Sequence, residues 1–140
     1  IIDCKRIRAP QAVADMLGLR ASEQVFQVRR VLSFDGIPTI FEDIWLPGGP
    51  FKGLTTAQLS TDTRPMYALF ESDFGIRMVR AQERLRAVLP SDDVCDFLKV
   101  SANMPLLKVE RPSFTYQDTP MEWRIGVYRT DTRHYLNELN

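Results

Sequence analysis

The sequence is poor in the residues that metal binding and nucleophilic catalysis need. Its 140 residues include one histidine and two cysteines, Cys4 and Cys95, which lie far apart in the chain. Zinc sites are built from several Cys and His ligands, so no such site can be assembled here. GxSxG, HExxH and glycine-rich phosphate-binding motifs are also missing. These absences predict a domain that is not an enzyme and that carries no cofactor or metal.

Net charge and long apolar runs are missing as well. Eighteen basic and eighteen acidic residues cancel, which leaves no overall positive charge for DNA or an anionic membrane. No apolar run approaches the length that spans a bilayer, and two cysteines without a CxxC motif are typical of a reducing compartment. We expect one cytoplasmic domain over residues 1–140, with no membrane partner. The chain begins at Ile1 without a methionine, which we interpret as a fragment of a longer protein.

Hydrophobic periodicity and turn residues predict helices and strands along the whole chain. Apolar residues with a repeat of two alternate with short helical stripes, and polar turns separate them. The predicted elements are helices over 10–18, 65–74 and from Ser91 to Leu98, strands over 25–34, 38–46, 76–89, 105–116 and 120–130, and a polar connection over 48–63. At least five strands joined by hairpins and short helices indicate an α+β domain built on an antiparallel sheet.

Several charges stand on strand faces that the period of two otherwise assigns to the core. Arg30, Glu42, Glu83 and Arg111 each alternate with apolar residues along their strands. A lone buried charge is costly, so these residues need partners. Two interpretations stay open: an internal network of salt bridges, or a cleft in which Arg holds an anionic group and Glu holds hydroxyls or an amine.

The first hairpin indicates which of these charges meet. If both strands turn their apolar faces to one side, Arg30 and Glu42 must share that side. This parity favours a three-residue loop over 35–37, with Phe34 opposite Pro38. Arg30 and Glu42 are then cross-strand neighbours within pairing distance.

The last predicted strand has two different faces. Glu122 shares its face with Arg124 and Tyr128, and this polar face on its own predicts a solvated Glu122. The opposite face carries apolar residues at 123, 125 and 127 and is a candidate surface for dimer contacts.

Three motifs in this order resemble the UTRA domain. They are VRRVLSFDGIP at 28–38, followed by Glu42 and Leu46-Pro47; PMYALFE at 65–71, ending in Phe74-Gly75-Ile76; and PMEWR at 120–124, followed by VYRTD at 127–131. The similarity runs from about residue 20 to the end of the chain. Each motif alone is weak, and together they are specific.

The resemblance implies a fold, a function and partners. UTRA domains have a chorismate lyase-like antiparallel sheet with short helices, and they are the effector-binding, dimer-forming halves of GntR-type regulators of the HutC subfamily. The expected partners are therefore a small-molecule effector and a second copy of the chain. DNA is expected to contact only an N-terminal winged helix-turn-helix that this sequence does not contain.

Effector contacts are implied at the positions that match the family motifs: Arg30, Glu42, Tyr67, Glu122 and Tyr128, with Met66, Glu83 and Arg111 as further candidates. Two positions depart from the family pattern. Leu32 replaces a second Arg, and Pro65 replaces a Ser that helps to receive a phosphate in relatives that sense sugar phosphates. A carboxylate or a neutral polar metabolite is therefore the better hypothesis for the effector.

Two rival functions remain at this point. One is a chorismate lyase-like enzyme on the same fold, and the other is a dimerisation module whose Arg and Glu residues pair internally. The helix over 65–74 and the connection over 48–63 are the candidate moving parts of an effector response.

Overall fold

Alternating apolar residues build one antiparallel sheet. The computed structural model describes residues 1–61 and 63–139, so positions 62 and 140 of the predicted spans lie outside it. Its strands are β1 (Asp3–Arg8), β2 (Gln24–Phe34), β3 (Ile37–Pro47), β4 (Arg80–Ala81), β5 (Arg84–Val88), β6 (Leu106–Thr115) and β7 (Thr119–Arg129). Their order is β1-β2-β3-β7-β6-β4, β5 also pairs with β6, and every pairing is antiparallel. The α+β prediction is confirmed.

Three of the four α-helices in the described residues lie where the sequence predicts them. The four are α1 (Gln11–Leu17), α2 (Thr56–Thr61), α3 (Met66–Phe74) and α4 (Asp92–Leu98). Gly18 and Gly75 end α1 and α3 in the left-handed conformation, and the Ser91 hydroxyl accepts a bond from the Val94 amide to cap α4. α2 lies inside the segment predicted as a connection. No helix in residues 1–61 and 63–139 is long and apolar enough to cross a membrane.

Both faces of the sheet are covered in part. On one face, α2, α3 and the segment before them bury an apolar cluster, which includes Phe26, Val28, Ile44, Leu46, Phe51, Leu69 and Phe70. On the other face, α1 packs near Val25 and Trp45, and α4 packs near Phe41. Trp123 contacts the α1 cluster and Val127 the α4 cluster, so helices partly cover the apolar face of β7 that was a candidate for dimer contacts.

The predicted strand over 76–89 is wrong in its continuity and in its burial. Residues 76–79 are not a strand, and the strand is interrupted again at positions 82–83, between β4 and β5. The apolar face that was assigned to the core is exposed: Val79, Leu85 and Leu89 are 48%, 51% and 64% accessible. β4 and β5 pair only with β6 at the edge of the sheet, and these three side chains belong to none of the apolar clusters in the described part of the chain.

The first hairpin has the predicted pairing of Arg30 with Glu42, but its turn differs from the predicted three-residue loop. Asp35 and Gly36 both have positive φ, as a two-residue type I′ turn requires, and Phe34 pairs with Ile37 rather than with Pro38. A β-bulge then leaves Thr39 unpaired and shifts the register by one residue. The shift places Arg30 directly opposite Glu42, as the parity argument predicts.

Candidate functional site

Cross-strand register gathers charged residues beside the apolar cluster. Glu42 on β3 is opposite Arg30 on β2, and on β7 Arg124 is opposite Arg111 of β6 while Glu122 is opposite Ser113. Because paired residues share a face, these side chains project from the same side of the sheet, towards α3. The polar part of this face is the candidate site.

Glu42 joins two arginines. Arg30 Nε donates to Glu42 Oε1 at 2.6 Å, and Arg124 Nη1 lies 3.5 Å from Glu42 Oε2. Glu42 is 3% exposed, so its charge depends on these partners rather than on water. The carboxylate thereby fixes the position of both guanidinium groups.

Glu122 is fully buried, so the solvated position that its polar strand face alone favours is wrong, whereas the family resemblance assigns Glu122 to the site. Arg124 Nη2 donates to Glu122 Oε2 at 2.8 Å, and the Tyr67 hydroxyl donates to Glu122 Oε1 at 2.7 Å. The same hydroxyl lies 3.0 Å from Ser113 Oγ. Tyr67 belongs to α3, so the helix that packs over the sheet supplies both the cover and the hydrogen bond that the carboxylate needs.

Arg124 is the centre of this network. Burial opposes its charge, but attraction to Glu122 and Glu42 outweighs burial and raises the pKa of Arg124 above its ordinary value. Its guanidinium also lies 5.2 Å from the centre of the Tyr67 ring and 3.5 Å from Met66 Sδ. Its Nε is buried and has no partner among the described residues. Burial, and then the negative charge of Glu122, raise the pKa of Tyr67, so its hydroxyl keeps its proton at neutral pH.

A cavity of about 300 Å³ opens above this network. It is lined by Arg30, Arg64, Pro65, Met66, Tyr67, Arg111 and Arg124. Of the described residues that line it, four are arginines and none is acidic. Guanidinium groups bind carboxylates and phosphates in a bidentate manner, so the cavity is suited to an anionic group.

Arg111 lines the cavity and is paired with Glu83, which lies behind it. Arg111 Nε donates to Glu83 Oε2 at 3.1 Å, and the Tyr135 hydroxyl donates to Glu83 Oε1. Glu83 stands at the break between β4 and β5, outside the lining of the cavity. Its carboxylate therefore orients Arg111 from behind.

Tyr128 lies at the side of the network. A Cβ atom on Gly126 would stand 2.8 Å from Tyr128 Cε1 and 3.7 Å from Glu42 Cγ, so the ring lies back over Gly126 beside Glu42. The ring packs edge-on against Tyr135, and it lines a separate cavity of about 230 Å³ under residues 130–136. Tyr128 is therefore close to Glu42 without lining the arginine-lined cavity.

The structure brings together most of the predicted site residues and adds three. Arg30, Tyr67, Met66 and Arg111 line the cavity, Glu42 and Glu122 lie beneath it, and Glu83 and Tyr128 flank it. The residues that were missed are Arg64, Ser113 and Arg124. Arg124 shares a face with Glu122 in the sequence, and this was the one available signal. Within residues 1–61 and 63–139, no group of three or more His, Cys, Asp or Glu side chains is placed to hold a metal ion.

Comparisons with known proteins agree on one family. The family model of the UTRA domain matches residues 1–134. The chain is 32% identical over 124 residues to the HTH-type transcriptional repressor STM4068 of Salmonella typhimurium, with 88% of this chain and 50% of that protein covered. It is 31% identical over 124 residues to the HTH-type transcriptional regulator Rv0792c of Mycobacterium tuberculosis, with 88% and 45% covered. The chain thus spans about half the length of the curated relatives it matches.

Solved structures give the same result. A domain described as the ligand-binding domain of a GntR-family transcriptional regulator from Bordetella bronchiseptica superposes with a TM-score of 0.95 at 50% identity, and 99% of this chain and 87% of that chain are covered. PhnF from Mycobacterium smegmatis superposes with a TM-score of 0.87 at 25% identity, with 99% and 60% covered. These relatives are named as regulators, which confirms the prediction that the domain is not an enzyme.

Proposed function

The chain belongs to the UTRA domain family, and we propose that it is the effector-binding domain of a GntR-type transcription regulator, with the arginine-lined cavity as its effector site. The observation that carries this proposal is the convergence of Arg30, Arg111 and Arg124 on one cavity, above two buried glutamates that hold them in place. A fold needs no such arrangement for stability, because a well-packed apolar cluster of similar volume is often at least as stable as buried ion pairs.

The effector that fits best is a small polar metabolite with a carboxylate. Four arginines line the cavity, and its volume is at the lower end of the range for small-molecule sites. Pro65, at the start of α3, offers no hydroxyl to a phosphate, and Leu32 leaves the face of β2 that carries Arg30 without a second cation. These two departures from the family pattern favour a carboxylate over a phosphate.

The mechanism that we propose is a shift of population in the whole regulator. The relatives named HTH-type are about twice as long as the region they share with this chain, so a DNA-binding module is expected to precede it. Effector bound between α3 and the sheet favours one placement of the DNA-binding modules, provided that it binds that arrangement more tightly. A coupling of about 1–3 kcal/mol is enough for regulation. In this proposal the regulator acts in the cytoplasm, belongs to the HutC subfamily and contacts DNA only through that module.

The sheet edge at β5 is accessible to the second copy in the proposed homodimer. Leu85 and Leu89 are exposed on and just after β5, at an edge of the sheet that pairs only with β6. Exposed apolar edge strands pair readily with another chain. Leu85→Asp is expected to give a monomer in light scattering after gel filtration. Ile37→Asp is the control, because Ile37 is similarly exposed (50%) at the hairpin tip, and it should leave the dimer intact.

A thermal-shift screen of metabolites tests the effector site. An effector that raises the Tm of the domain should bind Arg30→Gln at least about tenfold more weakly, because a hydrogen bond to a charged group contributes about 1.5–3 kcal/mol. Arg80→Gln is the matched control, since the Arg80 Nε also donates to a carboxylate, that of the exposed Asp118. If no metabolite shifts the Tm while Arg30→Gln unfolds the domain, the arginines and glutamates form a structural network in a dimerisation module and the proposal is wrong.

A further inference from the structure

Arg30 and Arg111 present the same chemical group to the cavity in the same manner. Each donates its Nε to a carboxylate, Arg30 to Glu42 at 2.6 Å and Arg111 to Glu83 at 3.1 Å. Neither carboxylate belongs to the lining of the cavity. Among the described residues, no carboxylate accepts a hydrogen bond from the terminal nitrogens of either guanidinium, and the planar pair that they form matches the two oxygens of a carboxylate. The Arg111 side chain also interacts with Tyr67, a neutral partner with which a ligand carboxylate can compete.

These two groups approach the cavity from opposite sides. Arg30 is on β2 and Arg111 on β6, and β3 and β7 lie between them in the sheet. Three strand spacings separate the two backbones by roughly 14 Å. Both long side chains nevertheless line one cavity of about 300 Å³, so the two residues reach the same space from different strands.

Arg124 sets the charge of the cavity floor between these two residues. It donates to Glu122 at 2.8 Å and lies 3.5 Å from Glu42, so both carboxylates already have a cation within the protein. A ligand amine placed over this floor would meet the Arg124 guanidinium and would not find a free carboxylate. The floor therefore gives no reason for a cationic centre in the ligand and leaves recognition to the two ends.

We infer that the cavity receives a small dicarboxylate, with one carboxylate bound by Arg30 and the other by Arg111. A ligand with a single anionic group leaves one of the two oriented guanidinium groups unmatched, whereas a dicarboxylate of suitable length satisfies both. This inference rests on the proposed effector site and specifies its ligand class. Arg30 and Arg111 would then select a dicarboxylate by the distance between its two carboxylates.

The test is calorimetric titration of the domain with succinate, glutarate, adipate and pimelate. Each is compared with the monocarboxylate of equal length, and glucose 6-phosphate and inorganic phosphate are titrated in parallel. We expect one dicarboxylate to bind at least tenfold more tightly than its monocarboxylate partner, since the second end adds a charged hydrogen-bonded contact. Arg30→Gln and Arg111→Gln should each reduce its affinity to the monocarboxylate level, and Arg80→Gln should leave it unchanged.

A charge-conserving variant distinguishes the loss of a ligand contact from a failure to fold. Arg30→Lys keeps the ion pair with Glu42 but lacks the planar fork, so it should fold and still lose most of the gain from the second carboxylate. Equal affinity for mono- and dicarboxylates, tighter binding of glucose 6-phosphate, or the absence of any dicarboxylate binding would overturn the inference. Binding of a phosphate or a neutral metabolite would leave the proposed effector site in place, whereas the proposed function fails only if the broad metabolite screen is also negative.

Discussion

Arg124→Met removes the one cation that, among the described residues, pairs with both buried glutamates. Methionine keeps an apolar stem of similar length, so the change tests charge rather than packing. Of the partners that the structure describes, Glu122 then retains the Tyr67 hydroxyl at 2.7 Å and Glu42 retains Arg30 at 2.6 Å. Both carboxylates are buried in the wild type, at 3% and 0% exposure, so neither can rely on bulk water as its main partner.

The expected loss of stability follows from these contacts. Removing one partner of a buried ion pair costs about 3–5 kcal/mol, and the surviving bonds place this case at the lower end. The variant also removes the unpartnered Nε of Arg124, which returns about 1 kcal/mol. The net destabilisation is therefore about 2–3 kcal/mol. At roughly 3–4 °C per kcal/mol for a domain of this size, the Tm should fall by about 6–12 °C.

Thermal and urea denaturation followed by circular dichroism measure this loss. Arg129→Met is the matched control, because Arg129 lies on the same strand and its ion pair with Asp131 is much more exposed. That control should lose less than about 1 kcal/mol. The double variant Arg124→Met/Glu122→Gln should regain at least about 1 kcal/mol over Arg124→Met, because a neutral amide tolerates burial better than an unpaired carboxylate. An Arg124→Met domain as stable as Arg129→Met would refute the assignment of Arg124 as the centre of the network.

Three further variants test separate parts of the fold. Tyr67→Phe removes the hydroxyl shared by a buried carboxylate and Ser113, and urea unfolding should show a loss of about 1–3 kcal/mol. Gly36→Ala, at a φ of +77°, should lower the Tm, whereas Gly49→Ala has open space and no positive φ and should not. Burial raises the pKa of Asp43, so stability of the wild type falls as the pH rises through that pKa. Asp43→Asn should therefore be more stable than the wild type at pH 7, and the two Tm values should converge when the pH is lowered until Asp43 is protonated in both folded and unfolded states.

Local chemistry explains why much of the fold was predictable. Pro10 and Gly18 bracket α1, and Ser91 opens α4, because each of these residues favours a helix end through its own backbone or side chain. The pairing of Arg30 with Glu42 was also predictable. Two opposite charges on apolar strand faces need each other, and this requirement holds whichever turn joins the strands.

The wrong predictions concern contacts between distant parts of the chain. The alternation around Leu85 is a local pattern, whereas burial requires another element packed on top of it, and Leu85 is exposed and lies outside the described apolar clusters. Glu122 shows the reverse case. Its own strand face is polar, and it is buried because Tyr67, 55 residues away, donates a hydrogen bond from α3. Arg124 was missed for the same reason, since its partner Glu42 is 82 residues distant.

The unpaired Thr39 has a consequence for how the length of this domain can vary. On either side of the bulge, Leu32 pairs with Ile40 and Ser33 pairs with Pro38. Loss of the Thr39 codon would make Pro38 and Ile40 consecutive, and their partners on β2 are already consecutive. The result would be a regular hairpin with the same turn, and Arg30 would still face Glu42. A one-codon deletion at this point should therefore leave the proposed effector site unchanged. An insertion or deletion within the strand between Ile40 and Glu42 would turn Glu42 to the opposite face of the sheet. Length polymorphism in homologous genes should accordingly be concentrated at position 39 and excluded from the codons that follow it.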